Sequence, residues 1–226
     1  MKNPNGFHKK GTTTPIPLPT VSRLPIYLRH FTEFEKEQQL VISSKTLSEV
    51  SGIHPAQVRK DLAYLGQVGQ RGIGYEVKRL AHKVRDILGL HQTWLVLLVG
   101  TGNLGMALLQ YGGFVKAGFK IVAAFDVDPS KIGWELEGVK IWPLLALRQI
   151  VREKKIEIGI VAVPASQAQG VTNALVDAGI RAILNFAPCS LTVPRSIFLR
   201  NVDLSLELEH LTYFLGREVF TRTFNP

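Results

Sequence analysis

Residues 94–105 read WLVLLVGTGNLG, and this stretch decides the fold of the second half of the chain. The apolar run Trp94 to Val99 has the length of a fully buried strand, and it ends in a glycine-rich turn that opens a helix. Gly100-Thr101-Gly102-Asn103-Leu104-Gly105 is a GxGxxG pattern. A bare match is weak evidence, but a strand before it and a helix after it are the setting in which the pattern cradles a dinucleotide. Each glycine has its own reason: Gly100 permits the tight turn, Gly102 lets backbone approach a pyrophosphate, and Gly105 lets helix pack closely on strand. Phosphates then meet the positive end of the helix.

Downstream the chain alternates strand and helix. Strands are expected at 94–99, 120–126, 156–163, 182–185 and 201–203, with helices near 103–116, 143–153, 166–178 and 204–220. That alternation makes an α/β domain, a doubly wound parallel sheet of Rossmann type. The second strand ends at Asp126 within AAFDVDP. A carboxylate there would accept the adenine-ribose hydroxyls and repel a 2'-phosphate, which favours NAD(H) over NADP(H). Asp126 stands 26 residues after Gly100, beyond the usual spacing, because the segment YGGFVKAGF is long. Val127 and Lys131 follow it and join the candidate cofactor residues. Two more clusters lie at carboxyl ends of strands, where ligand loops belong: Val163-Pro164-Ala165 and Asn185-Phe186. Phe186 would lie near a nicotinamide with Asn185 fixing the loop, or both clusters are simple strand-terminating turns. A nucleotide-free or coenzyme-A-binding variant of the fold also stays open.

The first 90 residues read differently. They hold 14 Lys+Arg against 7 Asp+Glu, a surplus of +7, while residues 91–226 hold the remaining 13 against 11, or +2. A concentrated basic domain attracts polyanions, nucleic acid first among them. Residues 1–20, rich in Pro, Thr, Gly and Lys, read as a flexible basic arm. Within 21–90, helical spacing of Leu24, Tyr27, Leu28, Phe31 and Phe34 predicts a helix capped by Ser22. After a short link at 40–42, Ser44 caps a second helix, Ser51-Gly52-Ile53 turns the chain, and Pro55 opens a third helix with Val58, Leu62 and Leu65 on its apolar side. Helix, short helix, glycine turn, helix is the order of a helix-turn-helix, and GQVGQRGIGY after it has the glycines of a β-hairpin wing. On the third helix Gln57, Arg59, Lys60 and Tyr64 are placed to reach DNA. Arg and Gln suit base edges and Lys60 suits phosphate. Ser44 and Lys45 suit backbone phosphates, and Arg71 at the wing tip suits a minor groove. A basic solvated surface on a dimerisation domain is the alternative.

Several function classes recede. The run at 94–99 is too short to span a bilayer and no signal-peptide core opens the chain, so a cytoplasmic protein is expected. The single cysteine, Cys189, cannot form an internal disulfide. Of six histidines only His210 lies beyond the first strand of the second half, and no Tyr-x-x-x-Lys occurs, so the acid/base set of a dehydrogenase is missing. No metal-ligand spacing appears. The second half is read as binding its cofactor without turning it over. The competing reading is an NAD-dependent oxidoreductase with a basic accessory domain.

The segments SRLPIYLR, QVRKDLAYLG, GQRGIGY, VGTGNLGMAL, FDVDPSKIG, GIRAILNFAP and VDLSLELE resemble, in this order from Ser22 to about residue 216, the Rex family of redox-sensing transcriptional repressors. The resemblance implies a winged helix-turn-helix at 21–90, an NAD(H)-binding Rossmann domain at 91–203, and a homodimer whose C-terminal helix, 204–226, swaps into the partner. It implies a repressor that binds double-stranded operator DNA and is released by NADH, with NAD+ permitting binding. It also sets Arg29, Tyr111 and Asp203 at the domain and subunit junction, where an Arg/Asp pair with a nearby Tyr hydroxyl would form a switch or a static ion pair.

Overall fold

The computed structural model describes residues 15–66, 69–70 and 73–224, and the chain divides into two compact units, 1–92 and 93–226. Arg71 and residues 1–14 of the expected arm lie outside the described residues. The first unit runs α1 (Leu18–Lys36), β1 (Val41–Ile42), α2 (Ser44–Ser51), α3 (Pro55–Ala63), β2 (Gly69–Gln70), β3 (Gly74–Glu76) and α4 (Val77–Leu88). Helix α1 begins at Leu18 with Pro17 as N-cap, not at Ser22, so residues 18–20 are helix rather than arm. Pro19 in the first turn lacks only an N–H that would have no helical partner there. Helix α2 is capped one residue earlier than expected: the Ser43 side chain accepts from the Thr46 amide, and Gly52 closes the helix in the left-handed region at φ 68°. His54 caps α3 through the Ala56 amide. Strands β2 and β3 pair antiparallel as a hairpin, and β1, expected as a link, pairs with β3.

The core of this unit joins Leu24, Tyr27, Phe31 and Phe34 of α1 to Leu47, Val58, Leu62, Leu65, Leu80 and Val84. Among them lies a charge. Asp61 of α3 is fully buried and accepts hydrogen bonds from Thr20 Oγ1 (2.9 Å), Arg23 Nε (2.6 Å) and Nη2 (2.8 Å), Tyr27 Oη (2.8 Å) and Gln57 Nε2 (2.8 Å). Burial alone pushes this carboxyl up, but the bonds from Arg23, Tyr27, Gln57 and Thr20 outweigh it and hold the pKa at about 2. Burial and the bond to Asp61 push the Tyr27 hydroxyl the other way, up.

The second unit contains β4 (Trp94–Val99), α5 (Asn103–Leu109), α6 (Gly113–Lys116), β5 (Phe119–Asp126), β6 (Glu135–Leu136), β7 (Val139–Pro143), a 3-10 turn and α7 (Leu147–Lys154). It continues with β8 (Ile158–Val161), α8 (Ala165–Ala178), β9 (Ala182–Asn185), β10 (Phe198–Asn201) and α9 (Leu204–Phe224). The sheet order is β10-β9-β8-β4-β5-β7-β6, parallel except for the β6/β7 hairpin. Strand β7 had no sequence counterpart, and the last strand lies at 198–201 instead of 201–203. Alternate residues of β4 enter two separate cores. Leu97 and Val99 pack with Phe125, Ile150 and Leu175, whereas Val96 and Leu98 pack with Leu109, Ala124 and Ile141. The order reverses between β4 and β8, which puts the crevice of a doubly wound sheet at their carboxyl ends.

The Asp61 cluster predicts an acid-sensitive fold. Its pKa lies below the ordinary value of 3.8, so the stabilisation is complete above about pH 4 and is lost as the pH falls towards 2. It amounts to on the order of 2 kcal/mol. In thermal melts from neutral pH down to pH ~2, Asp61→Asn is less stable at neutrality by about 3 kcal/mol and declines less steeply in acid. Parallel pH curves for variant and wild type would show that Asp61 does not supply this term.

Candidate functional site

The turn after β4 is built to leave one face open. Gly100 sits at φ 96°, and a Cβ on it would stand 2.4 Å from the Ala162 carbonyl oxygen, so the loops after β4 and β8 touch there. Gly105 packs against Gly100, where a Cβ would come within 1.9 Å of the Gly100 oxygen. Around a Cβ on Gly102, by contrast, nothing lies within 4 Å. Asn103 and Leu104 are exposed beside it at the start of α5. Val163 is half-buried, while Pro164, the N-cap of α8, and Ala165 are exposed. Among the described residues no side chain caps the start of α5 or α8, which leaves first-turn backbone N–H groups of both helices open at the switch point.

Asp126 is engaged by its neighbours. Its Oδ2 accepts from the Thr101 amide (2.8 Å), the Thr101 hydroxyl (2.5 Å) and Lys131 Nζ (3.4 Å), and its Oδ1 accepts from the amides of Val127 (2.7 Å) and Asp128 (3.0 Å). Burial raises this carboxyl's pKa, but the Thr101 hydroxyl, the Asp128 and Thr101 amides and the Lys131 charge together hold it at about 2. Asp126 thus ties the glycine turn to the end of β5. The neighbouring Asp128, not singled out in the sequence, is 42% exposed and keeps Oδ1 for Ser130 while Oδ2 faces Lys131 at 3.8 Å. Val127 is exposed beside it.

At the end of β9, Asn185 is fully buried and ties its loop together. Its Nδ2 donates to the carbonyls of Ala187 (3.0 Å) and Cys189 (3.3 Å) and to Asn201 Oδ1 (3.1 Å), and its Oδ1 accepts from the Ala187 amide (2.9 Å). Phe186 is half-buried against the core shared with Leu184 and Ala162. Tyr111 is exposed, with its ring edge on Phe114 at 5.0 Å. Asp203 is half-buried, and its Oδ1 accepts from the Ser205 amide.

In the first unit Arg59 and Lys60 are exposed on α3 and Tyr64 is half-buried at its C-cap. Ser44 opens α2, and Lys45 is 83% exposed, pairing with Glu49 at 4.0 Å. Arg29 is exposed on α1. Gln57 stands apart, since its amide is bonded to Asp61. The reading of 58, 62 and 65 as the apolar side passed over the signal for Asp61, which shares their helical spacing and so had to be buried with a partner.

A small basic winged helix followed along the chain by a sheet of nucleotide-binding type defines a DNA-binding protein of the dinucleotide-responsive class. Residues 15–63 match the family model described as putative DNA-binding protein N-terminus, and 91–189 match that described as CoA binding domain. The redox-sensing transcriptional repressor Rex of Desulfitobacterium hafniense is 48% identical over 204 residues, 90% of this chain and 97% of that one. The crystal structure of RSP in complex with beta-NAD+ and operator DNA superposes with a TM-score of 0.85 at 37% identity, covering 93% of this chain and 97% of that one. The complex of RSP with beta-NADH gives 0.83 at 35%, covering 94% and 100%. The chain belongs to the Rex family of redox-sensing transcriptional repressors.

The two later glycines of the turn separate stability from access. Gly105→Ala forces backbone apart and lowers the melting temperature by about 5 °C, whereas Gly102→Ala, at an ordinary φ of −72° and in open space, leaves it within about 1 °C. Equal melting temperatures for the two variants would contradict the assigned geometry.

Proposed function

We propose that this chain is an operator-binding repressor that binds NAD(H) in its second unit and leaves DNA when NADH is the cofactor bound. The observation that carries the reading is the open Gly102 face at the β4/β8 switch point. RSP in complex with beta-NAD+ and operator DNA, and with beta-NADH, supports it. The pyrophosphate lies along Gly100–Gly105, where backbone N–H groups and the α5 terminus meet its charge. The adenine ribose lies at Asp126, with Asp128 Oδ2 and Lys131 beside it, and exposed Val127 offers apolar surface to the adenine. The nicotinamide end lies by Val163, Pro164, Ala165, Asn185 and Phe186.

On the DNA side Arg59 reads a base edge, and Lys60, Lys45 and Ser44 hold phosphates, with Tyr64 alongside. The working form is a homodimer. On α9, Leu204, Leu206, Leu208, Leu211 and Leu215 are all more than half exposed, more apolar surface than one helix of a lone protomer leaves open to water. Among the described residues no helix is long and apolar enough to cross a membrane, and a repressor of this kind works in the cytoplasm. Arg29 and Asp203 pair in one state of the dimer, and Tyr111 takes part in exchanging that partner.

The test is a titration of the protein on an operator duplex with NADH and NAD+ in separate arms. NADH releases the duplex at concentrations where NAD+ does not, and Gly102→Ala binds DNA as before but no longer responds. Asp203→Ala still binds NADH yet releases poorly. Equal response to both cofactors would contradict the reading. So would sustained NADH oxidation at 340 nm with carbonyl substrates, as expected of an oxidoreductase. Thermal protection by coenzyme A without protection by NADH would replace the cofactor.

A further inference from the structure

On α3, Gln57 is by chemistry the residue best suited to an adenine edge, since its amide can donate and accept in a bidentate pair. It is also the residue of that helix whose amide is already engaged. Nε2 donates to Asp61 Oδ1 at 2.8 Å, one helical turn along the same helix. Thr20 Oγ1 donates to that same oxygen, Tyr27 Oη donates to the other, and Arg23 forks across both. Five hydrogen bonds from four side chains thus converge on one carboxylate with no exposure. Three of the side chains belong to α1 and one to α3.

The arrangement fixes geometry. Helix α3 spans only nine residues, Pro55–Ala63. Its apolar contacts through Val58 and Leu62 hold it to the core, but a short apolar stripe tolerates sliding and rotation. The forked Arg23 contact does not, because a planar guanidinium meets a carboxylate in one orientation. Gln57, four residues before Asp61, holds the carboxylate in the rotamer that faces α1. Moving Gln57 to a base would remove a charge-assisted bond from a buried charge, a cost set against whatever the base returns. Arg59 and Lys60, between the two, are exposed and make no ion pair among the described residues.

We propose that Gln57 is a positioning residue for DNA recognition and does not read a base. With Asp61 it locks the rotation and register of α3 on α1, and this aims Arg59 and Lys60. The proposal rests on the DNA-binding function stated above.

The test uses the full-length protein and a duplex that it selects from a randomised pool. Affinities are measured for that duplex, for every single-base-pair substitution of it, and for a random duplex. Gln57→Ala weakens the selected duplex and its substituted forms by one common factor, about 3- to 10-fold, and leaves the random duplex unchanged. Arg59→Ala, in contrast, flattens discrimination at one base pair, as loss of a base reader does. Asp61→Asn loses still more selective binding while holding the random duplex; should it fail to fold, half-buried Gln57 carries the test alone. Loss of discrimination confined to one base pair in Gln57→Ala would overturn the proposal, and so would unchanged affinity throughout. A wild type that selects no duplex at all would overturn the DNA-binding reading itself, a result separate from either.

Discussion

The hydrogen bonds from Thr101 to Asp126 hold the second unit in its working shape. A turn whose glycines expose backbone to a ligand has few side chains of its own to fix it, so much of its geometry is imposed from outside. Asp126 does this from the neighbouring strand, accepting both the amide and the hydroxyl of Thr101 while its other oxygen gathers the next two amides of its own loop. The turn after β4 and the loop after β5 are thereby one rigid object, and Gly100, pressed on Ala162, adds the loop after β8. The open face at Gly102 is the part left uncovered.

The first unit uses the same device for a different purpose. Asp61 is a buried carboxylate saturated by donors, and it stands between two helices instead of two loops. Buried charges are poor sources of net stability when a well-packed apolar group could replace them, but they tolerate only one arrangement of partners. In each unit such a carboxylate lies next to the surface proposed to meet a ligand, and accuracy of placement is what such surfaces require.

Most of the doubly wound sheet was legible because its signals are local. Trp94–Val99 and Ala182–Asn185 are strands at the expected limits, each an apolar run closed by turn residues. Strand β7 escaped notice because its alternation of Val139, Lys140 and Ile141 is short and runs into Pro143, and its place in the sheet comes from pairing with β5. The start of α1 was read too late because Pro17 and Pro19 look like arm, although proline is at home in a first helical turn. Asp126 is legible from its place at the end of a strand beside GxGxxG, but its bonds to the turn are not. Which lone pairs of a carboxylate remain free depends on donors brought from Thr101 and Lys131, and spacing along the chain does not encode that. The bond from Gln57 to Asp61 was illegible for the same reason, since it follows from the burial of Asp61 against α1.

A repressor that senses its cofactor needs the two units to share one free energy. If NADH favours the arrangement that releases DNA, operator DNA must weaken NADH by the same factor that NADH weakens operator DNA. The most direct measurement is therefore the NADH affinity of the full-length protein with and without saturating operator duplex. The account predicts that NADH binds more weakly on DNA by about 5- to 150-fold, matching the loss of operator affinity caused by saturating NADH. An NADH affinity that is the same with and without operator would contradict it.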